Sequence, residues 1–144
     1  MNLEKSKSLS EKIAIFISAY ILCILWAFLF DFSIKIMGYP YEIEGGHYES
    51  YIHFVFYSFI FAPLWEELAF RYAPLEIAKK LGKDTILPMM ILSSAIFGWG
   101  HYNNPESVLL QGMLGFIFSY VYLKNGLLWS MLLHSIYNIS VTFF

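Results

Sequence analysis

From Ile13 to Phe30 the sequence reads IAIFISAYILCILWAFLF, with no charge, proline or glycine. As a helix, a run of this length rises about 27 Å, close to the roughly 30 Å of a bilayer's hydrocarbon core. It is apolar all the way round, which suits a span and not the single buried stripe of a soluble helix. Four further runs follow it. One extends from Tyr51 to Phe70, one is TILPMMILSSAIFGWGH (Thr85 to His101), one is SVLLQGMLGFIFSYVYL (Ser107 to Leu123), and the last begins LLWSMLLHSIYN at Leu127 and reaches the C-terminus. YNNPE and KNG supply turn chemistry between the last three. Only 14% of the 144 residues are charged, against roughly 25% in soluble domains. The expectation is therefore an all-α, polytopic transmembrane bundle of about five spans. A net charge of −2 offers nothing to a nucleic acid. Cys23 is the only cysteine, so no internal disulfide can form and packing is its expected role. The first run is long for a signal peptide's apolar core and lacks a small-residue cleavage site behind it, so it is read as retained.

The basic residues orient this arrangement. Lys5, Lys7, Lys12, Arg71, Lys79, Lys80, Lys83 and Lys124 fall on one side of a five-span chain, and only Lys35 falls on the other, with Asp31, Glu42, Glu44, Glu49 and Glu106. The excess of lysine and arginine marks the cytoplasmic side. The N-terminus is then inside and the C-terminus outside. PLEIAKKLGK reads as a short amphipathic helix on the inner face.

Few polar groups remain within the spans. They are Glu66, Glu67, Arg71, His101 and His134, with the uncharged Gln111 and Asn138. A charge at the centre of a membrane helix costs about 2.5–3.5 kcal/mol on insertion scales, so such residues face one another or a hydrated cavity. Neighbours on a helix point about 100° apart, so Glu66 and Glu67 are not expected to share one direction. Glu67 and Arg71 are i and i+4, acid before base, which predicts an ion pair and leaves Glu66 to face the interior. Pro63, three residues earlier, removes a backbone hydrogen bond and can open the helix there. His134 and Asn138 share a face of the last span, as Phe97 and His101 do on the third. Gly98 and Gly100 should let another backbone come close. By depth, Glu66 and His134 lie level. His101 joins them only if the third span is short or tilted, starting near Pro88.

EELAFR, FGWGH and HSIYN have the forms EExxxR, FxxxH and HxxxN, in that order on successive spans. Together they resemble the CAAX-protease and bacteriocin-processing family, also called Abi, whose members include the type II CAAX prenyl endopeptidases. The resemblance divides the chain into a leading helix and outer loop (1–50) and a catalytic core (51–144). It implies an intramembrane endopeptidase with a polar cavity among its helices. Glu66 would be the base that activates water, His101 would hold that water, His134 and Asn138 would face the oxyanion, and Glu67 and Arg71 would support the architecture. The substrate would be a membrane-associated peptide or protein, and the setting a bacterial or archaeal plasma membrane. No metal is expected, because asparagine is a poor zinc ligand and the set can act on water alone. Zinc on Glu66, His101 and His134 is the alternative. Other intramembrane protease chemistries lack their residues, since there is no HExxH helix and both aspartates, Asp31 and Asp84, lie outside the spans. Two rival functions stay open, a non-catalytic immunity or scaffold protein and a small ion- or proton-coupled transporter.

Overall fold

The computed structural model describes residues 7–38, 50–102 and 104–143. The outer-loop acids Glu42, Glu44 and Glu49, and also Lys5, lie outside the described residues. Every regular element among the described residues is helical. Helix α1 (Leu9–Met37) starts at a capping box in which Ser8 accepts from the Glu11 amide and Glu11 reaches back to the Ser8 amide. It stops at Gly38, whose φ of 67° is the left-handed conformation that glycine adopts freely. The next helical run is unbroken from residue 51 to 81. It comprises α2 (Tyr51–Phe56), a π turn (Tyr57–Phe61), α3 (Ala62–Glu67), a second π turn (Leu68–Tyr72) and α4 (Ala73–Leu81). A short 3₁₀ turn (Lys83–Thr85) leads into α5 (Ile86–Tyr102), followed by α6 (Pro105–Asn125) and α7 (Leu127–Phe143).

The expected separate inner helix is therefore continuous with the helix that carries the glutamates. Its two π turns have one cause in the sequence. Ala-Pro-Leu occurs at 62–64 and again at 73–75, and each copy directly follows a π turn. Proline has no N–H to give and its ring crowds the carbonyl four residues back. A helix absorbs this by widening for one turn, and such turns recur at functional sites. The local opening expected at Pro63 is thus present, and Pro74 repeats it. The two turns bracket Glu66 and Glu67.

Helix α6 is the hub of the bundle, packing against α1, α5 and α7. Its pairing with α5 is the most extensive, and small residues explain it. A Cβ on Gly98 would lie 2.7 Å from the Gly112 amide nitrogen and 2.8 Å from both the Ser107 carbonyl oxygen and the Val108 Cα. Ser107 Oγ also donates to the Gly98 carbonyl. Gly100, expected to act alike, faces open space. This gives a paired prediction. Gly98→Ala drives two backbones apart and should cost about 1–3 kcal/mol. Gly100→Ala should be neutral or stabilising by up to about 1 kcal/mol, because alanine is the better helix former. Thermal unfolding of both variants in detergent is the check.

Helix α1 braces the opposite side of α6 and α7. It buries one stripe, Ala19, Cys23, Phe30 and Ile34, and Cys23 sits in that core as a free thiol. Tyr20 Oη lies 2.8 Å from Ser140 Oγ, and Trp26 Nε1 donates to the Leu109 carbonyl at 3.2 Å. Its outer face is apolar yet exposed, including Ile17, Ile21, Leu25 and Phe28. Such a face belongs in lipid. By length and composition two helices among the described residues, Leu9–Met37 and Pro105–Asn125, can cross a membrane, and the apolar Leu127–Phe143 is shorter. At the end of the bundle bearing α4, Tyr122 Oη donates to Glu76 Oε1 at 2.6 Å and Lys79 pairs with the same oxygen at 2.6 Å. Donation from Lys79 and then Tyr122 holds the Glu76 carboxyl below the usual carboxylate range.

Candidate active site

The polar side chains gather where α3 and the second π turn meet α5, α6 and α7. Glu67 is the enclosed member of the pair, with no exposed surface. Its Oε1 accepts from His134 Nδ1 at 3.0 Å, and its Oε2 faces Ser130 Oγ at 2.5 Å. Arg71 Nε lies 3.5 Å from Oε1, so the i, i+4 ion pair is formed, and both side chains are fully buried. Glu66 keeps 24% of its side chain exposed, and its Oε2 stands 3.5 Å from His134 Nε2.

This reverses one expectation and revises another. The acid inside the bundle is Glu67, and Glu66 lies at the margin. The two glutamates also converge on one partner, although they leave the helix in different directions. The reason is the size of the imidazole. Its two nitrogens face opposite ways, so a ring inserted from α7 presents one nitrogen to each carboxylate. Arg71 is enclosed in the bundle, as its expected pairing with Glu67 requires.

Arg71 is held in an unusual way. Its guanidinium carbon sits 4.0 Å from the centroid of Phe97 and 5.4 Å from that of Phe118. Neither Nε, Nη1 nor Nη2 has a hydrogen-bond partner among the described residues. The aromatic faces and the Glu67 charge therefore carry the stabilisation of this buried cation. Gly115 makes the space, since a Cβ there would lie 2.9 Å from both Arg71 Nη2 and Phe97 Cδ1.

A carboxylate only accepts, so the His134 nitrogen facing Glu67 carries the hydrogen. The ring stacks on Phe118 at a centroid distance of 4.7 Å, 28° from parallel. His101, half-buried in the last turn of α5, donates from Nδ1 to its own helix at the Phe97 carbonyl, 2.8 Å away. A carbonyl only accepts, so His101 Nδ1 carries the hydrogen. The Phe97 ring touches both imidazoles, at 4.5 Å from His101 and 5.9 Å from His134 between centroids. Glu66, Glu67 and His134 thus meet directly, and His101 joins them across Phe97. α5 begins at Ile86, not at the Pro88 start expected for bringing His101 level with the others.

Asn138 lies one turn beyond His134. Its Nδ2 donates to the Ser58 carbonyl at 2.9 Å. That carbonyl sits in the first π turn, five residues before Pro63, where an N–H is missing. Asn138 supplies the missing donor and ties α7 to the widened turn. The amide's second N–H is not used in that bond.

Sequence reasoning missed Ser130 and Phe118. Ser130 was within reach, because it stands four residues before His134 on the same face of α7. Phe118 gave no signal among the many apolar positions of α6. Among the described residues, no three or more histidine, cysteine, aspartate or glutamate side chains are arranged to hold a metal ion. Glu66, His101 and His134 do not form such a group.

Searches of curated proteins and of solved structures find no match. A family model described as Type II CAAX prenyl endopeptidase Rce1-like matches residues 48–140. That stretch is well over half the chain and contains every side chain of the cluster, while α1 lies outside it. The chain accordingly belongs to the Rce1-like type II CAAX prenyl endopeptidases, a family of membrane-embedded proteases.

Proposed function

We propose that the chain hydrolyses a peptide bond of a membrane-associated peptide or protein, with Glu66 as the base that activates water. The observation that carries this reading is the unequal pair of acids on His134. Glu67 has both oxygens engaged, by His134 and Arg71 on one side and Ser130 on the other. Glu66 is partly open and only approaches His134, so it retains acceptor capacity for a water proton. A half-desolvated carboxylate beside an imidazole is a competent general base.

The reaction runs in balanced steps. Water oxygen attacks the scissile carbonyl as Glu66 takes its proton, and His101 helps hold the water. Glu66 Oε2 passes the proton to His134 Nε2. The imidazolium that forms is supported by Glu67 at Nδ1, as a buried carboxylate supports the histidine of a hydrolytic triad. Its Nε2–H then makes a hydrogen bond to the tetrahedral oxygen, joined by the second N–H of Asn138. Collapse re-forms the carbonyl and breaks the C–N bond, and the Nε2 proton moves to the departing amine nitrogen, which returns His134 to its neutral form. The chain crosses the bilayer five times in this reading, N-terminus inside, and the apolar exterior of α1 supports that placement.

Two substitutions test the assignment. His134→Gln should lower kcat on a lipid-embedded peptide by about 10²–10⁴-fold, the range for loss of an acid–base or oxyanion partner, with KM little changed. His101→Gln should act in the same direction. A transporter would instead show ion flux in proteoliposomes that survives His134→Gln. An immunity scaffold would keep its protective phenotype with either substitution, and either result would refute the enzyme reading.

A further inference from the structure

One face of α7 gives the Glu67 carboxylate two donors. Ser130 and His134 are i and i+4, so they lie one above the other. Ser130 Oγ is 2.5 Å from Oε2 and His134 Nδ1 is 3.0 Å from Oε1. A single donor would leave the carboxylate free to turn about its last torsion. Donors on both oxygens fix its position and its plane. Ser130 is itself fully buried, and its oxygen also lies 2.9 Å from the Phe118 carbonyl of α6. A hydroxyl has one proton. The carboxylate and the α6 carbonyl compete for it, and the carboxylate is the stronger acceptor, so that proton lies mainly toward Glu67.

We propose that Ser130 is a positioning residue, whose hydroxyl locks Glu67 so that Glu67 holds His134 with the hydrogen on Nδ1 and Nε2 turned to Glu66. Ser130 touches neither water nor substrate in this account and acts through Glu67. The kinetic consequence rests on the endopeptidase reading, and the tautomer consequence does not. With the serine hydroxyl gone, Oε2 loses its donor and the carboxylate can rotate away. His134 then loses the contact that selects its tautomer. The Arg71 ion pair alone does not restore it, because Nε approaches the same oxygen as His134 and leaves Oε2 unheld.

The test uses the full chain in detergent micelles and in proteoliposomes. Imidazole ¹⁵N spectra, with His134 assigned from a His134→Gln sample, should show hydrogen on Nδ1 in the parent protein. Ser130→Ala should shift that signature toward a mixture of tautomers. The same variant should lose about 10-fold to 100-fold in kcat, the usual scale for partners that orient an active group, with KM unchanged. Ser130→Thr, which keeps the hydroxyl, should return both readouts toward the parent. If Ser130→Ala does not fold, Ser130→Cys decides, since a thiol is a weak donor and should give an intermediate signature. An unaltered His134 signature in the folded alanine or cysteine variant overturns the proposal. A parent protein that cleaves nothing, combined with a shifted signature in Ser130→Ala, supports the positioning role while sinking the endopeptidase reading.

Discussion

Glu66→Gln should reduce hydrolysis of a lipid-embedded peptide by about 10²–10⁴-fold, the contribution typical of a positioned general base, while the detergent-purified protein unfolds as before. The structural reason for the split lies in exposure and bonding. Glu66 is partly open, and its Oε2 stands 3.5 Å from His134 Nε2. Glutamine has the same shape, so local packing is undisturbed. What disappears is the carboxylate's capacity to take a proton. Glu67→Gln should behave differently. It removes the counter-charge from a fully buried arginine and the partner of His134 Nδ1, so both folding and turnover should suffer. Measuring kcat and unfolding temperature for both variants separates the two roles, and an equal effect on turnover without any difference in stability would contradict them.

Arg71→Met should destabilise the fold by about 3–5 kcal/mol, the scale for removing one partner of a buried ion pair. The methionine fills the volume between Phe97 and Phe118, so little of the loss comes from a cavity. The loss comes from leaving Glu67 charged in a site with no exposed surface. The double variant Glu67→Gln/Arg71→Met should recover part of the stability, because no uncompensated charge remains, even though it stays inactive. Chemical unfolding in mixed micelles reads this directly. An Arg71→Met protein as stable as the parent would show that the aromatic sandwich, not the charge pair, governs this region.

The helical layout was legible because a bilayer imposes it. Runs such as Ile13–Phe30 and Ser107–Leu123 fall inside α1 and α6, and the turns at YNNPE and KNG fall at real breaks, Asn104 capping α6 and Gly126 adopting a φ of 95° after it. The motifs also named the side chains that come together, since Glu66, Glu67 and His134 do meet. What failed was orientation. Helical spacing says that Glu66 and Glu67 diverge, but not which of the two directions meets a neighbour, and it does not anticipate a ring that reaches both. The same limit applies to Gly98 and Gly100, two residues apart on α5, of which only Gly98 faces α6. The π turns were half-legible. Pro63 announced the first, whereas the second copy of Ala-Pro-Leu looked like the start of a surface helix and hid the continuity of 51–81. Ser130 escaped because serine in a membrane helix commonly bonds its own backbone, and nothing in the sequence separates that use from a contact to a buried acid.

The reading of the site as a water-activating peptidase stands most openly to a single-turnover reaction in ¹⁸O-labelled water. The reconstituted chain is mixed with a membrane-anchored peptide and the products are weighed by mass spectrometry. One ¹⁸O atom should enter the new C-terminal carboxylate in the parent protein, and the cleaved product should be absent with Glu66→Gln. A folded parent protein that leaves the peptide intact, or that cleaves it equally well with glutamine at position 66, would contradict the account.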